Sequence, residues 1–330
     1  MRAFAIAEYK GPLREVEVPD PVIGEHDVLI AVDAAGLNHL DEKIRTGEFK
    51  QMLPYALPLT LGHDLAGTVV AVGAKVTSFA AGNEVYARPG TTQIGTFAQR
   101  IAVAESDVAL RPTSITVAEA ASLPLVALTA WQALVERGQV KPGQKVLIHA
   151  GAGGVGAIAI QLAKHLGAHV ATTASAADEE FVRSLGADEV IDYRTDDFEP
   201  RLRGYDRVLD SLGGANLAKS LRVLKTGGLA VGISGPPDPD FARIAQLNPV
   251  LRAAIWALSS KVRRQAKKLG VRYQFLFMRA SGDQLREIAA LVDRGVITPV
   301  LGKTVPFEEI PLALTALARG GVRGKVVAVR

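Results

Sequence analysis

Hydrophobic and polar positions change rhythm near residue 123. Before it, short runs such as "DVLIAVDAAG" and "AGTVVAVGAKV" are dense in Val, Ala and Ile, with Gly, Pro and Asn between them. Apolar runs of this length between turn formers predict β-strands. From there, "PLVALTAWQALVERG" reads as a helix closed by Gly138, and strand and helix patterns then alternate. "KVLIHA", a helix to Leu166, "HVATTA", "DEEFVRSLG", "EVIDY", "RVLDSLG", "ANLAKSLRVLK" and "GGLAVGIS" follow one another. Alternation at this spacing predicts right-handed βαβ units and a parallel sheet. "RYQFLFM" predicts a further strand, and a helix follows from Ser281 to Asp293. The tail, "KTVPF", "LALTALARGG" and "GKVVAVR", returns to β character. It is too short to bury a core of its own and is expected to rejoin the N-terminal β region.

The stretch "IHAGAGGVGA" places four glycines between a strand and a helix. Gly151, Gly153 and Gly156 match G-x-G-x-x-G, with Gly154 and Val155 inside the motif. In a dinucleotide site the first glycine permits a tight turn. The second lets the backbone approach a pyrophosphate, and the third brings the helix close to its strand. The helix start then offers N–H groups and partial positive charge to the anion. The second strand, "HVATTAS", ends without the acid that an NAD site places on the ribose 2′-OH. Ser175 and Thr173 there, and Tyr193 after the third strand, leave room for a 2′-phosphate, so NADPH is the expected cofactor. A nearby cation is missing, and Asp178, Glu179 and Glu180 follow Ser175, which also reads as a helix N-cap over Asp178.

Composition narrows the class. A chain of 330 residues with 48% hydrophobic positions suits about two domains. No apolar run approaches the roughly 20 residues of a membrane span. The opening "MRAFAIAEYKGP" has no signal-like apolar segment, so a cytoplasmic protein is the expectation. The absence of cysteine excludes disulfides, thiolate-bound zinc and a cysteine nucleophile. A net charge of +4 does not point to nucleic acid, and none is expected as a partner.

That charge is unevenly spread. Residues 241–272 carry eight basic side chains and no acid, leaving the rest of the chain at −4. Within this segment "NPVLRAAIWALSSKVRRQAKKLG" reads as a helix capped by Asn248 and ended by Gly270. Leu251, Ile255, Leu258, Val262, Ala266 and Leu269 form an apolar stripe beside the basic Lys261, Arg264 and Lys268. The plain expectation is a surface helix packed on its own protein; the sharper one is a lid or a weak membrane-surface contact through residues 249–269. Ser259 and Ser260 are a candidate break in this helix.

The order of elements resembles the medium-chain dehydrogenase/reductase superfamily. The stretches "GEHDVLIAVDAAGLNHLDEKIRTG", "LPLTLGHDLAGTVVAVGAKVTSFAAGNEVYA", "AEAASLPLVALTAWQAL" and "LGADEVIDYR" carry the resemblance with "GAGGVG". Within the superfamily the chain is similar to the zinc-free quinone oxidoreductase branch. Its "FLFMRASGDQLREIAALVDRGVITPV" is similar to the reticulon-interacting oxidoreductases. The resemblance implies an α/β fold: a GroES-like β domain over 1–122 and 295–330, and a Rossmann doubly wound parallel-sheet domain over 123–294. It implies NADPH in the cleft between domains. It also implies a homodimer formed by pairing edge strands, with "RYQFLFM" as the candidate edge.

Zinc alcohol dehydrogenases of the superfamily use an early Cys, a His in G-H-E and a third ligand. Here the first position is Asn38 and the motif is Gly62-His63-Asp64. One imidazole does not make a zinc site, which takes about three protein ligands; the metal alternative would need His39, Asp41 and Asp64 to join His63. By resemblance, Asn38, Asp41 and His63 are the candidate catalytic residues, with capping of the "DEKIRTG" turn as a second role for Asp41. Asn38, Thr129, Gly151, Gly153, Gly154, Val155, Ser175, Tyr193, Leu212, Ser234, Phe277 and Met278 are the candidate cofactor contacts. Tyr55 and Tyr86 are candidate proton donors. Without a Lewis acid, quinones and α,β-unsaturated carbonyls are the expected substrates. The competing readings are a zinc-dependent alcohol dehydrogenase and a non-catalytic NADPH-binding protein.

Overall fold

The computed structural model describes residues 1–330. Its strands are β1 (Arg2–Ile6), β2 (Arg14–Glu17), β3 (Asp27–Leu37), β4 (Leu59–Thr60), β5 (Asp64–Val72), β6 (Glu84–Ala87), β7 (Arg100–Ala104) and β8 (Val108–Leu110). They continue with β9 (Lys145–Ile148), β10 (His169–Ala174), β11 (Glu189–Asp192), β12 (Tyr205–Asp210), β13 (Leu224–Gly232), β14 (Arg272–Phe275), β15 (Leu301–Pro306) and β16 (Lys325–Val329). The chain forms two compact units, residues 1–128 with 279–330, and residues 129–278.

The first unit is built on a seven-stranded sheet ordered β15-β16-β3-β5-β6-β8, with β7 also on β3, and a three-stranded sheet β2-β1-β4. Inward residues of both, among them Phe4, Ile30, Leu65, Phe97 and Phe307, share one buried cluster. The tail rejoins this unit as expected: β16 runs antiparallel to β3, pairing Val326 with Leu37 and Val329 with Ala34.

The second unit holds a parallel six-stranded sheet ordered β11-β10-β9-β12-β13-β14. Numbered within the unit this is 3-2-1-4-5-6, the doubly wound order in which ligands bind beyond the carboxyl ends of the strands. Leu147, Ala171, Ile191 and Val208 from successive strands lie in its core with Leu221. Such continuous apolar strands suit a sheet covered on both faces.

The units divide at 128/129 and 278/279, whereas the sequence reading placed the divisions at 122/123 and 294/295. The helix Gly282–Asp293 accounts for the second difference. Tyr86 donates to the Leu285 carbonyl at 2.5 Å, and Asp293 accepts from Ser114 N and Oγ at 3.0 and 2.8 Å. Amphipathic spacing shows that a helix has an apolar face and not which sheet it covers.

The basic segment is two helices, Pro249–Leu258 and Ser260–Leu269, with Ser259 Oγ bonded to the Ile255 carbonyl at 2.9 Å between them. The expected stripe therefore does not continue as one face. Ile255, Val262 and Ala266 are buried, while Leu258 and Leu269 are exposed. No helix is long and apolar enough to cross a membrane.

Candidate active site

Asn38 ends the long strand β3 and caps the helix His39–Arg45. Its backbone is extended there, and its side-chain amide donates to the Gly36 carbonyl at 3.3 Å. Asn38 Nδ2 donates to Asp64 Oδ2 at 2.9 Å, and Asn38 Oδ1 accepts from Lys325 Nζ at 2.5 Å. Lys325, from the last strand, also donates to Asp64 Oδ2 at 2.9 Å and to the Leu37 carbonyl at 2.8 Å. All three ammonium protons thus have acceptors. Asp64 Oδ1 accepts the Leu125 amide at 2.7 Å, fixing the start of the helix Pro124–Trp131. Asn38, Asp64 and Lys325 are buried, so each bond is made in a medium where an unpaired group would be costly.

Asp41 fills the capping role read for it and also meets His63. One carboxylate oxygen accepts the Asn38 amide at 2.7 Å, closing the helix start, and the other faces His63 Nδ1 at 2.6 Å. The shared proton belongs on Nδ1, and His63 Nε2 is left buried with no hydrogen-bond partner. Arg88 follows β6 and is buried. Its Nη1 donates to the Pro89 carbonyl at 2.7 Å, while Nε and Nη2 have no partner. Burial pulls its pKa down, opposed by the charges of Asp64, Tyr55, Asp107 and Asp41. Thr96 Oγ1, packed against Gly62, is the other buried oxygen of this region without a partner. Sequence reasoning missed Arg88 and Thr96; an arginine two residues after the buried Val-Tyr of a strand was the available signal.

The two tyrosines separate. Tyr86 is fully buried and its hydroxyl is spent on the Leu285 carbonyl, so it is no proton donor. Tyr55 is half-buried, donates to the Thr91 carbonyl at 2.8 Å, and is pushed up to about 12, first by burial.

In the second unit the glycine turn leaves β9 and enters the helix Gly154–His165. Gly153 is the N-cap, and no side chain caps the helix. A Cβ on Gly151 would lie 2.2 Å from Thr172 Oγ1, and one on Gly156 2.2 Å from the Ala150 carbonyl. These two glycines are packing requirements. At Gly153 the nearest atom would be 3.3 Å away, so that glycine keeps the turn's surface bare. An uncapped helix start behind such a turn fits a pyrophosphate.

A hydrogen-bonded chain ties this turn to the next loop of the strand-end edge. Thr173 Oγ1 accepts from Ala150 N at 3.1 Å and meets His149 Nδ1 at 3.1 Å. His149 Nε2 meets Ser220 Oγ at 2.9 Å, which donates to Asp210 Oδ2 at 2.8 Å. Asp210 Oδ1 accepts from Leu212 N and Gly213 N at 3.1 and 2.6 Å. Burial, partly offset by Asp210, holds the His149 pKa below its ordinary value. The sequence offered no signal for this relay, because its members are scattered over 149–220.

The remaining candidates fall as follows. Leu212 is exposed beside the left-handed Gly213, whose Cβ would lie 2.5 Å from the Ser234 carbonyl, so the Leu212 and Ser234 loops adjoin. Phe277 is half-buried, its ring 5.8 Å from Phe241, and Met278 is buried. Thr129 is buried within its helix. Ser175 is buried at the N-cap position, but its hydroxyl donates to the Asp178 carboxylate at 2.5 Å and caps no helix N–H. Tyr193 is exposed after β11, with the Arg194 guanidinium 5.8 Å from its ring centre. Arg194 is an exposed cation here, within the electrostatic reach of Asp178.

The donor set does not fit a catalytic zinc. No three His, Cys, Asp or Glu side chains come together to hold a metal ion. Both ends of the Asn38 amide are committed, Asp64 is taken by Lys325, Asn38 and Leu125, and His39 is bonded to the Leu317 carbonyl.

Comparison with known proteins adds the following. A model described as alcohol dehydrogenase GroES-like domain matches residues 24–113, and one described as zinc-binding dehydrogenase matches residues 185–327. The mouse NAD(P)H oxidoreductase RTN4IP1, mitochondrial, is 37% identical over 323 residues, covering 92% of this chain and 81% of that protein. The NADPH-dependent alkenal/one oxidoreductase, chloroplastic, of Arabidopsis thaliana is 35% identical over 340 residues, covering 99% and 79%. The quinone oxidoreductase of Coxiella burnetii superposes with a TM-score of 0.87 at 31% identity, covering 100% of this chain and 99% of that one.

Proposed function

The chain belongs to the medium-chain dehydrogenase/reductase superfamily of oxidoreductases, and from that premise we propose that it reduces quinones and α,β-unsaturated carbonyls with NADPH and without zinc. The observation that carries the reading is that the second unit has an uncapped glycine turn and the first a polar centre with one free imidazole nitrogen instead of a ligand set.

NADPH, when bound, supplies a hydride from its nicotinamide ring. The chain's own residues do the rest. Gly151, Gly153, Gly154 and Val155 present the turn and helix start to the pyrophosphate. Arg194, with Tyr193 beside it, receives the 2′-phosphate, and the acid-free end of β10 does not repel it. The Leu212 and Ser234 loops, with Thr129, Phe277 and Met278, complete the cofactor's surroundings.

A conjugated acceptor spreads developing charge to a distant oxygen, so fixed donors can replace a metal there. Arg88 Nε and Nη2 are such donors, held in place by burial and lacking any protein acceptor. The Asp41–His63 pair keeps the imidazole in one orientation and leaves Nε2 as an acceptor, suited to a hydroxyl of the substrate or reduced product and not to a carbonyl oxygen. Asn38, Asp64 and Lys325 hold that pair's element against the sheet. Tyr55 keeps its proton at neutral pH, and that proton is held by the Thr91 carbonyl, so Tyr55 delivers it only if that bond is given up.

The test is NADPH oxidation against a panel of quinones, enones, enals and simple ketones, with NADH in parallel and EDTA in one arm. Turnover is expected with the conjugated acceptors, faster with NADPH and unchanged by EDTA. Turnover confined to alcohols or simple ketones and abolished by chelation overturns the reading. Tight NADPH binding with no turnover on any acceptor overturns it in favour of a binding protein.

A further inference from the structure

The helix Pro249–Leu258 is apolar but for Arg252, yet it buries only Ile255. Val250 is 77% exposed, Leu258 64% and Trp256 56%, and Ile244, just before the helix, is 57% exposed. Ala253, Ala254 and Ala257 are exposed as well. At helical spacing Val250, Ala253 and Ala257 fall opposite Ile255. Trp256 lies on one flank and Leu258 on the other. A whole apolar face is thus turned to solvent, and exposed patches of this kind mark interaction sites.

What surrounds that face says what it fits. The next helix buries Val262 and Ala266 and turns out Lys261, Arg264, Lys267 and Lys268. None of these four, nor Arg252, has an ion-pair partner in the protein. Arg263 alone is tied down, its guanidinium on Ser259 Oγ at 3.1 Å and 5.1 Å from the Trp256 ring centre. From residue 241 to 272 the chain has no acid. A second copy brought to this face would oppose cations to cations, which is unfavourable for a symmetric contact.

We propose that residues 244–269 dock on the surface of an anionic bilayer. Val250, Trp256 and Leu258 enter the boundary between headgroups and acyl chains. Arg252, Lys261, Arg264, Lys267 and Lys268 meet the lipid phosphates. Apolar side chains with an indole among unpaired cations are the combination an interfacial helix uses, and both attractions add at such a surface. Binding of this kind does not depend on the reaction proposed above, and its test does not use turnover.

The full chain is floated with vesicles of phosphatidylcholine alone or mixed with phosphatidylglycerol, at low and high salt. Association is expected with the anionic vesicles only, with a blue shift of Trp256 fluorescence, and is expected to fall about tenfold or more at high salt. The Trp256→Ala/Leu258→Ser pair and the Lys261→Glu/Arg264→Glu/Lys268→Glu triple should each lose it while keeping the parent melting temperature and NADPH affinity. No association with anionic vesicles at low ionic strength overturns the proposal. So does equal association of the charge-reversed triple. Self-association abolished by Val250→Asp in a protein that ignores vesicles would instead assign the face to a second copy.

Discussion

Arg88 shows how a single residue can set function against stability. A buried guanidinium with two unpaired nitrogens is unfavourable for folding, and a well-packed apolar side chain in its place is often neutral or stabilising. Arg88→Met is therefore expected to leave the unfolding midpoint unchanged or raised. It is expected to lower kcat/KM for quinones and enones by about a hundredfold, the usual loss of one fixed donor. Denaturant titration and steady-state kinetics on the same preparation check both halves; a destabilised, fully active variant would refute the role. His149 gives a prediction in pH. Burial lowers its folded pKa, and His39 is lowered likewise by burial, then by Lys325 and Lys43. Below about pH 6.5 the unfolded chain takes up protons on these rings that the folded chain does not. Stability is thus full above that value and falls as pH drops through it. His149→Gln should flatten the slope of the urea midpoint between about pH 7 and pH 5.5.

Among the elements, the strand–turn–helix at Ile148–Gly156 was legible in the sequence because its glycine spacing is a local requirement. Gly156→Ala puts a methyl group 2.2 Å from a backbone oxygen, so the turn must move. A loss of about 1–3 kcal/mol is expected, together with weaker NADPH binding by calorimetry. The end of β11 was half legible: Tyr193 was read as a contact, its neighbour Arg194 was not. Arg194→Ala is expected to raise KM for NADPH about tenfold and leave KM for NADH unchanged, as removal of one charge-assisted bond predicts. The basic segment was legible as helical, but its stripe was drawn straight through Ser259. The serine's bond to the Ile255 carbonyl ends one helix and begins another, and that changes which leucines are covered.

For the whole molecule, β14 is one of the two open edges of the parallel sheet, paired only with β13 as β11 is only with β10. Open edges invite pairing with another chain. A homodimer through β14 is the expected assembly, and sedimentation equilibrium tests it: a monomer at every concentration would overturn it. A dimer in which the Tyr273 amide exchanges as fast as an unpaired one would place the interface elsewhere.

By itself the sequence determined the fold class, the glycine turn, the return of the tail to the β unit and the lack of a cysteine-built zinc site. Each is written in local spacing or in composition. Only tertiary structure decided that the helix Gly282–Asp293 belongs to the first unit, since Tyr86 and Leu285 are 199 residues apart. It alone joined Lys325 to Asn38 across 287 residues, retired Tyr86 as a proton donor, and left Arg88 Nε and Nη2 without partners. Burial and hydrogen-bond pairing belong to groups distant along the chain, and no local pattern records which of them will meet.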